Sequence, residues 1–235
     1  AAAPVLRPGE ESQQLGDDAS FVFRFKKALR QEPLAASVLD SLRPLAEAHG
    51  LDMEELAFVI ETRVPTMRAT LEREGIASFS MDCAIAIYLY TIDEPKLYKF
   101  INTACHAADR DVGQGGLSPS LRACMPYIKF LDTALERLPA KYLFKGRLNR
   151  GVKWAFPTPE DHDPEAHFPK GRQFFWYEFK SAAFKFEVMY QETFCGESGP
   201  RTVFTIDACQ GYLIEHFSHF PEAEVLFRPL SQFEV

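Results

Sequence analysis

The chain has 235 residues, 46% of them hydrophobic and 25% charged, with a formal net charge of -7. That length suits one large domain, or a domain with a packed extension, and supplies enough apolar material for a real core. The acidic balance, without any basic block, excludes electrostatic capture of nucleic acid, and no segment approaches the roughly 20 apolar residues of a membrane span.

The first stretch, "AAAPVLRPGEESQQLGDD", has no initiator Met and no signal-like apolar run, so it is read as a processed or artificial end. Its Pro, Gly, Gln and acidic content leads us to expect disorder over residues 1–18. Helical periodicity then dominates up to residue 139. Leu56, Ile60, Met67 and Leu71 mark one face of a helix, with Pro65 a kink and Gly75 a stop. "SFSMDCAIAIYLYT" is apolar nearly all round and therefore a buried element, which Ser80 caps if it is a helix. Asp93 and Pro95 form a start signal before Leu97, Ile101 and Cys105 at helical spacing. "DVGQGGLSPS" reads as a loop. The clearest stripe is Leu121, Cys124, Ile128, Leu131, Leu135 and Leu138, spaced 3-4-3-4-3, with Pro126 as a kink or a regular start.

After Pro139 the texture changes to aromatic and β-branched runs broken by Gly and Pro, as strands require. Helices first and strands second read as α+β, and the lack of Gly-x-Gly-x-x-Gly after a strand leaves a Rossmann site without support. Five cysteines at wide spacing, with no Cys-x-x-Cys, argue against a zinc ribbon or a dense disulfide scaffold; one or two bridges stay open. There is no Asn-x-Ser/Thr sequon, which tilts towards an intracellular protein, but a secreted or cytoplasmic location is left undecided.

Candidate chemistry is modest when each feature stands alone. "EDHDPEAH" (160–167) mixes His and acids, but its irregular spacing and Pro-rich setting favour an exposed loop, and no metal site is expected. His106 and Asp109 read as a surface pair on a helix. No Gly-x-Ser-x-Gly elbow surrounds any serine. Arg150 in "LNRGVKW" is a strand-end arginine before a turn glycine, and Ser181 in "YEFKSAAF" is a strand serine. Glu222 and Glu224 in "HFPEAEVLF" share one strand face, because side chains alternate with a period of two. Two adjacent carboxylates repel, so they are either a solvated strand end or a functional pair. Such pairs serve the cationic-sugar chemistry of glycosidases.

Taken in order, "NRGV" (149–152), "FKSAA" (179–183) and "PEAEVLF" (221–227) resemble the Arg, Ser and Glu-x-Glu motifs of arginine-specific mono-ADP-ribosyltransferases. The resemblance covers residues 78–235. It implies a helical lobe (78–139) packed on a mainly antiparallel β-sandwich (140–235) with an NAD-binding cleft, and leaves 19–77 as a helical extension. It implies NAD as substrate and a protein arginine as acceptor. By the same resemblance, Glu224 would stabilise the positive charge that develops on the ribose. Arg150 would pair with the diphosphate, Gly151 would approach the nicotinamide amide, and Ser181 would hold Glu224. Glu222 would orient the acceptor guanidinium, which is a poor nucleophile while charged. Phe184 or Phe186 would stack on nicotinamide or pack in the strand. Two departures stand out: Ser-Ala-Ala replaces the usual Ser-Thr-Ser, and Asn149 stands where an aromatic residue often precedes the arginine. The alternatives are an NAD glycohydrolase, or a weakly active NAD-sensing or interaction domain.

Overall fold

The structure is a computed structural model that describes residues 18–106, 116–190, 195–220 and 224–235. Six helices come first: α1 (Ala19–Gln31), α2 (Val38–His49), α3 (Met53–Arg73), α4 (Met81–Thr91), α5 (Leu97–His106) and α6 (Pro119–Glu136). Their starts follow the side-chain chemistry of orphan backbone N–H groups. Asp18, Ser37, Asp52, Ser80 and Ser118 each accept from an amide in the first turn that follows. Gly75, at φ 66, follows α3 in the left-handed conformation that glycine adopts without strain. Pro65 and Pro126 both lie inside helices. The run expected as a loop before α6 ends earlier than its composition suggests, because Pro119 takes the first helical turn, where a missing N–H costs nothing.

The strands are antiparallel throughout. β1 (Leu143–Val152), β3 (Lys180–Ala183), β5 (Glu224–Phe227) and β4 (Thr202–Leu213) close into a ring in that order, while β2 (Gln173–Trp176) and β6 (Ser231–Glu234) form a separate pair. The aromatic run 172–190, which has a single strand texture in the sequence, is thus divided between two sheets, with Tyr177, Glu178 and Phe179 as the crossing, and ends in a 3-10 turn at Phe186–Tyr190. Between β1 and β2 lies a single-turn helix, α7 (Pro164–His167), whose first turn is capped by Asp163. The stretch expected as an exposed loop is therefore partly a capped turn; no group of three His, Cys, Asp or Glu suited to a metal exists among the described residues.

Two cores organise the molecule. The larger joins Phe21, Phe25, Leu42, Leu45 and Met67 of α1–α3 to the α6 stripe, and then to Tyr177, Phe179, Tyr212 and Leu226 from the strand region. The N-terminal helices are therefore built into the same core as the rest. α4 lies at its centre, buried from Cys83 to Tyr90, and its Ala86 carbonyl accepts from Tyr127 Oη at 2.7 Å. The smaller core sits between ring and pair, where Trp176 and Phe174 meet Leu148, Ala182, Val225 and Phe227. All five cysteines are free, four of them buried and Cys209 exposed.

One ionic contact ties the helices to the end of β5. Arg228 donates Nε to Asp132 Oδ1 at 2.5 Å and Nη2 to Asp132 Oδ2 at 2.7 Å, a bidentate pair onto a nearly buried carboxylate of α6. Removing the arginine leaves that carboxylate desolvated without its partner, so Arg228→Ala is expected to cost about 3 kcal/mol in urea unfolding, whereas a solvent-screened pair would cost under about 1 kcal/mol.

Candidate functional site

Arg150, Ser181 and Glu224 lie on β1, β3 and β5, three consecutive strands of the ring. Asn149 pairs with Ala183, and Ala183 pairs with Glu224, so the registers bring the three motifs side by side. Arg150 Nη1 donates to the Ser181 carbonyl at 2.5 Å, and its guanidinium stands 5.7 Å from the centre of the Trp176 ring. Burial pulls its pKa below the usual arginine value, and the charges of Glu178, Tyr90 and Glu224 work the other way. Glu224 opens β5 and is half-buried. Glu222, the other acid of the pair, lies outside the described residues.

The flanking residues are accounted for by packing. A Cβ on Gly151 would sit 2.5 Å from Cys195 Sγ and 3.0 Å from Met189 Sδ, so the backbone beside Arg150 is seated against a buried thiol that a larger residue would displace. Phe184 meets Phe144 edge-to-face at 4.7 Å and packs on the smaller core. Phe186 is exposed and meets Tyr190 at 6.0 Å. The two alanines that depart from Ser-Thr-Ser have apolar surroundings: Ala182 is part of the smaller core, and Ala183 packs with Met189 and Cys195.

Beneath Arg150 lies a polar cluster that the sequence reading missed. His106, at the end of α5, is buried, and its Nε2–H donates to Glu178 Oε2 at 2.5 Å. This overturns the reading of His106 as half of a surface pair; Asp109, the other half, lies outside the described residues. Lys180 closes an ion pair on Glu178 Oε1, with both side chains buried. Burial pushes the Glu178 carboxyl up, but the attraction of His106 and Lys180 outweighs it and holds the group at about 2. Burial, helped by repulsion from Arg150 and opposed by Glu178, brings Lys180 down to about 8. Tyr90 of α4 completes the group: its Oη–H donates to the Phe179 carbonyl at 3.0 Å and approaches Asn102 Oδ1 of α5 at 3.5 Å. Burial, then Glu178 and Glu224, raise its phenol well above the usual value, so it stays a neutral donor. The local signal for this cluster was slight: a Glu-x-Lys pair inside an aromatic strand texture, and a histidine on an apolar helix face.

Two measurements probe these contacts. Glu178 titrates near 2 when folded against an ordinary value of 4.5, so its contribution to stability is complete above about 4.5 and fades as pH falls towards 2. Acid unfolding of Glu178→Gln should lack that part of the pH dependence; an unchanged profile would show that the pairing carries no linkage. Gly151→Ala should lower stability by about 1–3 kcal/mol through overpacking against Cys195, with Cys195→Ala restoring part of it in the double variant.

The fold recurs in known proteins. The model of the family described as NAD:arginine ADP-ribosyltransferase matches residues 59–235, beginning within α3, earlier than the sequence resemblance at 78. No curated relative matches the sequence. Among solved structures, the type III effector XopAI from Xanthomonas axonopodis pv. citri is 15% identical with a TM-score of 0.60, covering 94% of this chain and 87% of its own. The ADP-ribosyltransferase HopU1 of Pseudomonas syringae pv. Tomato DC3000 is 18% identical with a TM-score of 0.52, covering 94% and 91%. A mutant of the eukaryotic mono-ADP-ribosyltransferase ART2.2, in complex with NAD, is 18% identical with a TM-score of 0.53, covering 83% and 77%. Identities this low speak for the fold alone. No helix among the described residues is long and apolar enough to cross a membrane. With three quarters of its length under the family model, this chain belongs to the NAD:arginine ADP-ribosyltransferase family, whose members take NAD as substrate.

Proposed function

We propose that the chain is an arginine-directed mono-ADP-ribosyltransferase, moving ADP-ribose from NAD to an arginine side chain of a target protein. The observation that carries the reading is the placement of Arg150, Ser181 and Glu224 on adjacent strands, with the Arg150 guanidinium held by the Ser181 carbonyl. The donor set fits NAD: a part-buried guanidinium offers a fixed fork for a diphosphate, and a carboxylate two strands away offers a counter-charge for a sugar cation. We read the face where α4 and α5 approach β3 as the cleft, 78–235 as the transferase domain and 19–77 as a helical extension.

NAD supplies the labile bond between nicotinamide and ribose. Arg150 would hold the diphosphate, and Gly151 would lend backbone to the nicotinamide amide. Ser181 would fix Glu224, whose carboxylate opposes the positive charge that grows at the anomeric carbon as the bond to nicotinamide breaks. Glu222 would align the incoming guanidinium and receive the proton that it loses as its nitrogen bonds to that carbon. Phe220, which is exposed and precedes the acidic motif, would meet the target. Its loop is anchored to α4, where the His219 amide donates to Thr91 Oγ1 at 2.8 Å.

The test supplies NAD with a small guanidine acceptor and follows nicotinamide release and adduct together. Both are expected, with Glu224→Gln lowering release by about 10²-fold or more. Glu222→Gln should lose adduct while still releasing nicotinamide. Release without adduct from the parent chain would mean a glycohydrolase, and binding without turnover would mean a sensor. Undiminished turnover in Glu224→Gln would refute the site.

A further inference from the structure

Arg150 has two carboxylates in its electrostatic neighbourhood, Glu178 and Glu224, and of these Glu178 is the stronger influence. A buried carboxylate with no cation of its own would draw the nearest guanidinium towards it. That guanidinium is also the group read above as the holder of the NAD diphosphate. Glu178 and an anionic ligand are therefore rivals for Arg150, unless Glu178 is satisfied from elsewhere.

His106 meets one of its oxygens and Lys180 the other. The Glu178 and Lys180 side chains are buried and ion-paired, one residue apart on the approach to β3, directly before Ser181. We propose that Lys180 is a positioning residue for NAD binding: by pairing with Glu178 it releases Arg150 from that carboxylate and leaves the guanidinium available to a diphosphate anion. The inference rests on reading Arg150 as the diphosphate contact, and it concerns a lysine that does not itself touch the ligand. The charge count shows what is at stake. Uncharging Lys180 removes one positive charge from a cluster that also holds Arg150, His106, Glu178 and Glu224, and so works against a dianion.

The groups facing Lys180 sharpen the test. Glu178 beside it, Arg150 from β1 and Cys105 from α5 all act on it, and His106 shares Glu178 with it. Burial holds the Cys105 thiol well above its usual value, as it does the Tyr90 phenol. Glu178 is ionised throughout the neutral range and arginine keeps its proton. Lys180, at about 8, is thus the member of this cluster that changes charge between pH 7 and 9.

Calorimetric titration of NAD into the full chain at pH 7 and pH 9 tests the idea, with thermal melts to verify folding. Affinity should weaken from pH 7 to 9 in the parent. Lys180→Met should weaken binding at pH 7 by about tenfold or more and abolish the dependence on pH, with the maximal rate of nicotinamide release little changed. The double variant Lys180→Met with Glu178→Gln should return to within about threefold of the parent, because removing the rival carboxylate makes its counterion unnecessary. A lysine with a merely structural role would give no such rescue. The proposal is overturned if Lys180→Met binds NAD as the parent does, or if the double variant is as weak as the single one. Should neither variant fold, a parent affinity that is flat from pH 7 to 9 overturns it unaided. A parent chain that fails to bind NAD at any pH would instead sink the reading of Arg150, and the inference with it.

Discussion

A carboxylate with no solvent access has to be matched by cations, since stripping its water costs several kcal/mol that only close partners return. Glu178 is that carboxylate, and much of the architecture around the site answers to it. Meeting its two oxygens requires His106 from the end of α5 and Lys180 from the start of β3, so His106 and Glu178, 72 residues apart in sequence, are held at hydrogen-bond distance. Once α5 is fixed there, Asn102 comes within reach of Tyr90, and Tyr90 in turn reaches the Phe179 carbonyl at the crossing into β3. The polar cluster is thus a chain of obligations that begins with one buried charge. The arginine on the neighbouring strand β1 lies within the electrostatic reach of the same charge.

The ring of four strands contributes a different constraint. Closing β1, β3, β5 and β4 into a ring gives each strand two neighbours, β1 meeting β4 along its length and β3 at Asn149–Ala183. In such a ring a residue cannot shift alone. The 2.5 Å contact from Arg150 to the Ser181 carbonyl is therefore as fixed as the register that holds β1 against β3. Preorganisation of this kind would let the guanidinium and the carboxylate of the proposed site act electrostatically without rearrangement at the moment of reaction. It also explains why alanines suffice after Ser181. Ala182 and Ala183 sit where apolar neighbours crowd them, and a hydroxyl there would have to find a partner among methyl groups and sulfur.

Much of this was legible beforehand, and the part that was not has a common cause. The α6 stripe, the Ser80 cap, the Gly75 stop and the change from helices to strands after Pro139 are all local patterns, readable from spacing and turn chemistry. Arg150, Ser181 and Glu224 were legible as residue types in an order, and their meeting depends on strand pairing that alternation only hints at. The division of the 172–190 run between two sheets was not legible, because aromatic strands read alike whichever sheet they join. The partnership of His106 with Glu178 was invisible for a stronger reason. A histidine on an apolar helix face looks the same whether it ends in water or against a carboxylate from elsewhere in the chain. Periodicity reports which face is buried, never what waits there.

Tyr177 shows where this leads. It precedes Glu178, its hydroxyl accepts from the Asp18 amide at 2.9 Å, and its ring meets Phe21 of α1 edge-on at 4.9 Å. On its other side it lies 5.5 Å from the ring of His106. One aromatic side chain is thus wedged between the first described helix and the residue that steadies the buried carboxylate. The opening segment of the chain, which carries none of the reactive groups, is mechanically continuous with them. Proteolytic clipping ahead of α2, or a partner that peeled α1 away, would loosen the wedge and be felt at the arginine without touching that side chain.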